Sequence, residues 1–396
     1  MIIKEVTFHS ADGSSIFEAL IQRRTPTLKG FTVRIVIHKE IESPASLGDP
    51  FLAACLVPCM FLNESLEVEA PVSSQLLAGI NHIQGIFRNW YPKTLNRIQV
   101  ITTKITTVDV AQKQPLKSAC FFSGGVDSWY SVLNPHNEIG ALVTVKGFDI
   151  PYADVSIWTE LAQSNRQIAN ELGKELILVE TNLRQFLDPT QANLGKTATD
   201  DFWGKYLHGA FLAAVGLCLQ QHFSNVIVPS SYPYAQLHPW ATHPLVDPLW
   251  STGQTHFSHD GCEVNRIEKL TLVAKSKTAL RNLRVCFSYS LGRYNCCQCE
   301  KCFRTMLALY LLGVLDQASS FDRPLNLRML ETMRLSPGSE VWYEDMLDEA
   351  RFRQNHEVID ILRVILGQKF SARRKLSGLK ACLKSACRRT ASAAQI

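Results

Sequence analysis

Charge is sparse in this chain, long apolar runs are missing, and the opening MIIKEVTFHSADGSS lacks the basic, apolar, small-residue order of a secretory leader. Charged residues make up 19% of 396 and hydrophobic ones 46%, a balance that excludes a largely disordered protein. The longest apolar run, Phe51 to Leu62, is about half as long as a membrane span requires, and Pro58 interrupts it. No membrane partner is expected, and the run reads as a buried strand. Without a leader, twelve cysteines point to reduced thiols or metal ligands in a cytoplasmic protein, not to a disulfide framework. Acidic residues are also absent after Asp360, where nine basic ones occur. Subtracting nine from the net charge of +5 leaves about −4 for residues 1–360, so only the tail could draw a polyanion.

Hydrophobic patterning divides the rest. Residues 1–114 carry strand-like runs at IIKEVTF, FTVRIVIH and NRIQVITTKI, with helical spacing from Ser73 to Trp90. They read as a separate, smaller α+β or β-rich module without catalytic residues, joined by a linker at Ala111–Pro115. From 115 to 315 strand and helix alternate. Strands are expected at Ser118–Phe122, Ala141–Lys146, Glu175–Glu180 and Asn225–Pro229, with helices at Asp127–Leu133, Ile157–Leu172 and Trp203–His222. Such alternation predicts an α/β fold, a parallel sheet with helices on both faces and ligands at the carboxyl ends of its strands. Residues 316–370 read as helical, through Leu325–Arg334, Val341–Arg353 and Glu357–Leu366. Residues 371–396 form the basic tail, either a solvated end or an RNA-contacting one.

The apolar run Ser118–Phe122 leads straight into Ser123-Gly124-Gly125-Val126-Asp127-Ser128, after which a helix can begin. Two glycines allow a tight turn and let backbone N–H groups approach an anion. The new helix adds its partial positive charge, and Ser123 and Ser128 add hydroxyl donors. Asp127 would orient the loop or contact Mg²⁺. No lysine follows the glycines, so this is not the GxxxxGK[ST] phosphate loop.

Cys286, Cys296, Cys299 and Cys302 are spaced C-x9-C-x2-C-x2-C. Four thiolates can close a tetrahedral shell around Zn²⁺, and an iron–sulfur cluster would use the same ligands. Arg293, Lys301 and Arg304 would offset the charge, and Cys297 is either spare or a substitute ligand. Between loop and cluster, His238, His243, Asp247, His256, His259 and Asp260 fall within 23 residues. His243, Asp247, His259 and Asp260 are candidate substrate contacts, with a second metal site or a solvated loop as the alternatives. Arg266 and Lys269 share one helix face. They would neutralise charge on phosphates, or form a surface pair with Glu263 or Glu268.

The string SGGVDS resembles the loop of the ATP pyrophosphatase-loop superfamily, in which it holds the leaving pyrophosphate. With the C-x9-C-x2-C-x2-C cluster it resembles the 7-cyano-7-deazaguanine synthase branch of queuosine-type biosynthesis. The resemblance covers about residues 116–312. It implies an adenine nucleotide alpha hydrolase-like fold with a zinc-binding insertion, and ATP, Mg²⁺ and Zn²⁺ as cofactors. Nucleotide would be held by Ser123, Gly124, Gly125, Val126, Asp127 and Ser128, with Phe148 at the end of the second strand as a purine shelf or a plain strand end. Asp127, Ser128, Lys269 and Arg266 would serve adenylyl transfer, and the four cysteines would hold a structural zinc. The implied reaction adenylates a 7-deazapurine-type carboxylate, which ammonia or an amine then attacks to give an amide, nitrile or conjugate. A macromolecular acceptor could be recognised by the N-terminal module. Two departures stand out: the 114 residues before the loop, and the segment Pro229–Pro248. The alternatives are tRNA thiolation through a reactive thiol such as Cys262 or Cys297, and a non-catalytic ATP sensor.

Overall fold

The computed structural model describes residues 1–23, 30–107, 118–186, 202–286, 294–329, 333, 335 and 339–367. The expected linker at 111–115, Arg293 and the basic tail at 371–396 lie outside them.

Ten strands form one sheet, with helices packed on it. Along the chain the strands are β1 (Ile2–Ala11), β2 (Ser14–Gln22), β3 (Phe31–Ile37), β4 (Leu66–Val68), β5 (Val72–Ser73), β6 (Val100–Thr102), β7 (Ile105–Thr106) and β8 (Ser118–Phe121). There follow β9 (Ile139–Lys146), β10 (Glu175–Thr181), β11 (Asn225–Pro229) and β12 (His256–Asp260). The large sheet runs β12-β11-β8-β9-β10-β3-β2-β1-β4-β6, while β5 and β7 pair separately. From β12 to β10 every pair is parallel. The chain winds from β8 through β9 to β10, then returns to the other side of β8 for β11 and β12. The order therefore reverses between β8 and β11, and an open α/β sheet has its ligand crevice at such a switch point. The molecule is an α/β protein with a large, mostly parallel central sheet flanked by helices.

The strands of residues 1–114 do not stand apart from that sheet. β3 pairs antiparallel with β10, setting Ile37 opposite Val179 and Ile35 opposite Thr181. Asn182 clamps the joint by accepting from the Arg34 amide (2.8 Å) and donating to the Thr32 carbonyl (2.9 Å). One continuous core contains Ile35, Phe51 and Leu56 together with Val143, Val179 and Phe211. β1 and β2 form a hairpin closed by Asp12 and Gly13, both at positive φ, as a two-residue turn requires.

The run expected as a buried strand is instead helix α1 (Asp49–Leu62), with Pro58 inside it. Apolar on nearly every side, it has no periodicity to separate strand from buried helix, and its length favours helix. The remaining helices are α2 (Ser74–Trp90), α3 (Val126–Leu133), α4 (Val155–Glu171), α5 (His208–Cys218), α6 (Arg266–Val273), α7 (Lys277–Asn282), α8 (Glu300–Leu311) and α9 (Glu340–Phe352). α1 packs on α5, and α9 packs on α8 and α6. Residues 356–367 form a further helix, whereas Leu325 and Asn326 are not helical. Among the described residues no helix is long and apolar enough to cross a membrane.

Candidate nucleotide site and metal centre

β8 ends at Phe121 and the chain turns through Ser123–Gly125 into α3. Gly124 sits at φ +77°, a left-handed conformation strained for any residue with a Cβ. Its carbonyl accepts from the Arg284 amide at 2.8 Å, tying the turn to the segment before the cysteine cluster. Gly125 is the N-cap of α3 and offers no capping side chain. The first amides of α3 therefore have no side-chain acceptor at the cap, as an anion site requires. Ser123 Oγ accepts from the Gly125 amide (3.3 Å), and Ser128 Oγ donates to the Gly125 carbonyl (3.0 Å).

Two cavities open from this turn, of about 470 and about 220 Å³. They share Ser123, Asp127, Asp149, His208, Ser231 and Arg284, so they are two compartments of one cleft. The smaller is walled by Val143, Val145, Phe148 and Ile150 from the end of β9, with Phe121 and Leu161. The larger is lined by Arg266, Arg284, Lys301 and Arg304 and by the rings of Trp203, Tyr232, Trp240 and Trp342. One compartment thus has an apolar wall, and the other is cationic and aromatic.

Asp127 ties the loop to α6. Its carboxylate lies 3.2 Å from Lys269 Nζ and 3.5 Å from an Arg266 guanidinium nitrogen. Burial works to raise its pKa, but these two cations together hold it below the ordinary carboxylate value. Lys269 also donates to the Ser230 carbonyl at the end of β11. α6 starts on a capping box, Asn265 accepting from the Glu268 amide (3.0 Å) while Glu268 accepts from the Asn265 amide (2.7 Å). Glu268 is therefore engaged at the cap and Glu263 by the Tyr130 hydroxyl, at 2.5 Å. The alternative of a surface pair for Arg266 and Lys269 falls away. Burial also pushes Lys301 down to about 8 and Arg304 down to about 10.

Of the residues expected from sequence, Ser123, Gly125, Val126, Asp127, Ser128, Phe148, Arg266, Cys286, Lys301 and Arg304 line the cleft. Gly124 shapes the turn, and Lys269 reaches it through Asp127. The four substrate candidates line neither compartment. His243 packs edge-on against Trp90, with ring centres 4.9 Å apart. Asp247 accepts from the His243 amide (3.3 Å) and pairs with His259 Nδ1 (2.6 Å). Burial lowers the His259 pKa, yet hydrogen bonding to Asp247 carries it up to about 9. Asp260 accepts from Ser131 (2.6 Å) and Asn137 (3.0 Å). These side chains knit the segment after β11 to α3 and to the edge strand β12, a strand the polar composition concealed.

The residues that sequence reasoning missed come from elsewhere. Asp149 follows β9, Trp203 lies in a π-helical turn (Trp203–Leu207), and His208 opens α5. His208 meets the Trp203 carbonyl (3.1 Å) and Thr242 Oγ1 (3.0 Å), and burial lowers its pKa. Gly204 beside Trp203 lets Trp240 approach, since any Cβ there would stand 2.4 Å from the Trp240 ring. π-turns also recur at functional sites.

The sulfurs of Cys286, Cys296, Cys299 and Cys302 all lie within 4.8 Å of one another. Cys286 to Cys299 and Cys296 to Cys302 are each 3.8 Å. A tetrahedral shell with bonds of about 2.3 Å separates its sulfurs by about 3.8 Å, so these positions fit a metal ion such as zinc. The amides of Gln298 and Cys299 donate to Cys296 Sγ at 3.5 and 3.2 Å, stabilising a thiolate there. Cys297, at φ +56°, turns its thiol toward the Asn295 carbonyl and Asp322 and is no part of the shell. Cys299 caps α8, which carries Lys301 and Arg304 into the cleft.

Fold and site together define a class: an α/β protein with a glycine-turn cleft at its switch point and, beside it, a four-cysteine cluster that could hold a metal. No protein-family model, curated protein or solved structure matches the chain.

Proposed function

We propose that this chain is an ATP-dependent, AMP-forming ligase with an adenine nucleotide alpha hydrolase-like catalytic core. The observation that carries the reading is the cleft: one SGGVDS turn serves both an apolar slot walled by β9 and a cationic chamber. Adenine fits the slot against Phe148. Phosphates fit the Ser123–Ser128 turn and the first amides of α3. Arg266 and Lys269 stand where charge grows on a departing pyrophosphate, and interactions with developing charge are the most effective in lowering a barrier. Of the two roles open to Asp127, its ion pairs favour organising the loop, while Asp149 across the cleft offers a carboxylate to Mg²⁺. A substrate carboxylate attacks the α-phosphorus, the bond to the β-phosphate oxygen breaks, and ammonia or an amine then displaces AMP. The resemblance makes the acid a 7-deazapurine carboxylate. The cysteine cluster would hold zinc in a closed, structural shell.

The thiolation alternative is less well supported, because neither named thiol lines the cleft. Cys262 is buried and donates to Ser230 Oγ (3.2 Å), and Cys297 points toward Asp322. The test follows AMP, ADP and pyrophosphate separately in the presence of candidate acids. AMP and pyrophosphate in equal amounts, dependent on the acid, are expected. ADP with phosphate would refute the reading, and binding without any product would leave a nucleotide sensor.

A further inference from the structure

The larger compartment holds more hydrogen-bond donors than the nucleotide reading uses. Arg304 is 2% exposed, yet it lines the cleft, its guanidinium 3.6 Å from the centre of the Trp342 ring. Among the described residues, Nε and Nη1 of Arg304, Nε of Arg266 and Nε1 of Trp342 have no hydrogen-bond partner. Glu300 lies 3.3 Å from Arg304 Nη1 and offsets part of its charge, and it accepts a hydrogen bond from the Tyr343 hydroxyl at 3.1 Å. Arg266 lies 5.9 Å from the same indole and also reaches Asp127, so it stands between the loop and this group. Leaving a buried donor unpaired is costly, more so when it is charged. All three side chains line the larger compartment, where an acceptor could satisfy them.

We infer that Arg304 and Trp342, with Arg266 between them and the loop, form a second anion subsite that takes the carboxylate of the acid substrate. The inference rests on the adenylation reading, which requires an acid beside the α-phosphate. A guanidinium centred over an indole leaves its in-plane N–H groups to a planar carboxylate, with Nη1 shared with Glu300. The indole N–H adds a neutral donor and the surrounding rings an apolar wall. Trp342 comes from α9, so the C-terminal helices are part of the site and not merely appended to it.

The test uses the full-length, zinc-loaded chain and three probes: benzoate, its neutral counterpart benzamide, and Mg-ATP. Indole fluorescence and calorimetry report binding. Benzoate should bind saturably and benzamide at least about tenfold more weakly, as expected for a charge-assisted contact. Arg304→Met should weaken benzoate by a similar factor and leave Mg-ATP within about threefold. Trp342→Phe keeps a ring under Arg304 and deletes one donor, so it gives the same comparison if Arg304→Met melts early. Equal binding of benzoate and benzamide would overturn the inference, as would unchanged benzoate affinity in both variants. Parallel loss of Mg-ATP would overturn it too, by assigning these donors to the nucleotide. Wild type that binds benzoate but never Mg-ATP would instead sink the adenylation reading, leaving a carboxylate site.

Discussion

Two carboxylates, one half-buried in the cleft and one fully buried, illustrate how the same residue type is set to opposite ends of its range. Asp127 has two cations beside it and is held low. Removing its charge would leave Lys269, 2% exposed, facing Arg266 without a counter-charge. Asp127→Asn should therefore lower stability by at least about 2 kcal/mol in denaturant melts, as well as AMP formation by about a hundredfold. Adding Lys269→Met should restore part of the stability and none of the activity. A double variant with restored activity would mean that the pair is structural only. Among the described residues no cation pairs with Asp49. Burial drives its pKa from 3.8 up to about 7, although the Ser73 amide donates to it at 2.8 Å. A folded pKa above the unfolded one means that the proton favours the folded state. Its contribution is complete below about pH 4 and is lost as pH rises through 7. Asp49→Asn should remove that loss, so the variant's stability relative to wild type should grow between pH 5 and pH 8, by an amount on the order of a few kcal/mol. Parallel pH–stability curves would refute the assignment.

At the scale of elements, α8 couples the four-cysteine cluster to the cleft. Its N-cap is Cys299, its first turn holds Cys302, and Lys301 and Arg304 extend from the same turns into the larger compartment. A metal bound by the four sulfurs would thus fix the rotation of α8 and the height of both cations. Cys299→Ser should abolish stoichiometric zinc measured by plasma mass spectrometry and lower the melting temperature, because structural zinc contributes folding free energy. Full zinc content in that variant would exclude the four-sulfur shell. α1 shows the limits of element-level reading: a run without polar punctuation fits two secondary structures, and only packing against α5 selects one.

The whole molecule is bound together by the junction of β3 and β10. The parallel run from β12 ends at β10, whose outer edge is covered by β3 through Ile35, Val36 and Ile37. Deleting residues 1–114 would uncover that edge and the core beneath α1, and an unpaired apolar edge is a template for aggregation. The truncated chain should be insoluble or multimeric by size-exclusion chromatography. A soluble, monomeric fragment that binds Mg-ATP would show that the first 114 residues are a separable module after all.

What the sequence determined by itself was whatever is decided within a few residues. The SGGVDS turn, the start of α3 and the C-x2-C-x2-C spacing owe their geometry to glycine conformation, helix ends and short chelating turns, so they were legible. The alternation of strand and helix likewise disclosed the parallel half of the sheet. Tertiary structure alone decided which side chains meet at that turn. Asp149, Trp203, His208, Arg304 and Trp342 are brought to one cleft from five places across nearly 200 residues, and no local pattern marks them. The histidine-rich segment was misread for the converse reason. Polar residues crowded in sequence satisfied one another inside the fold, Asp247 with His259 and Asp260 with Ser131, which left none of the four candidate side chains lining the cleft.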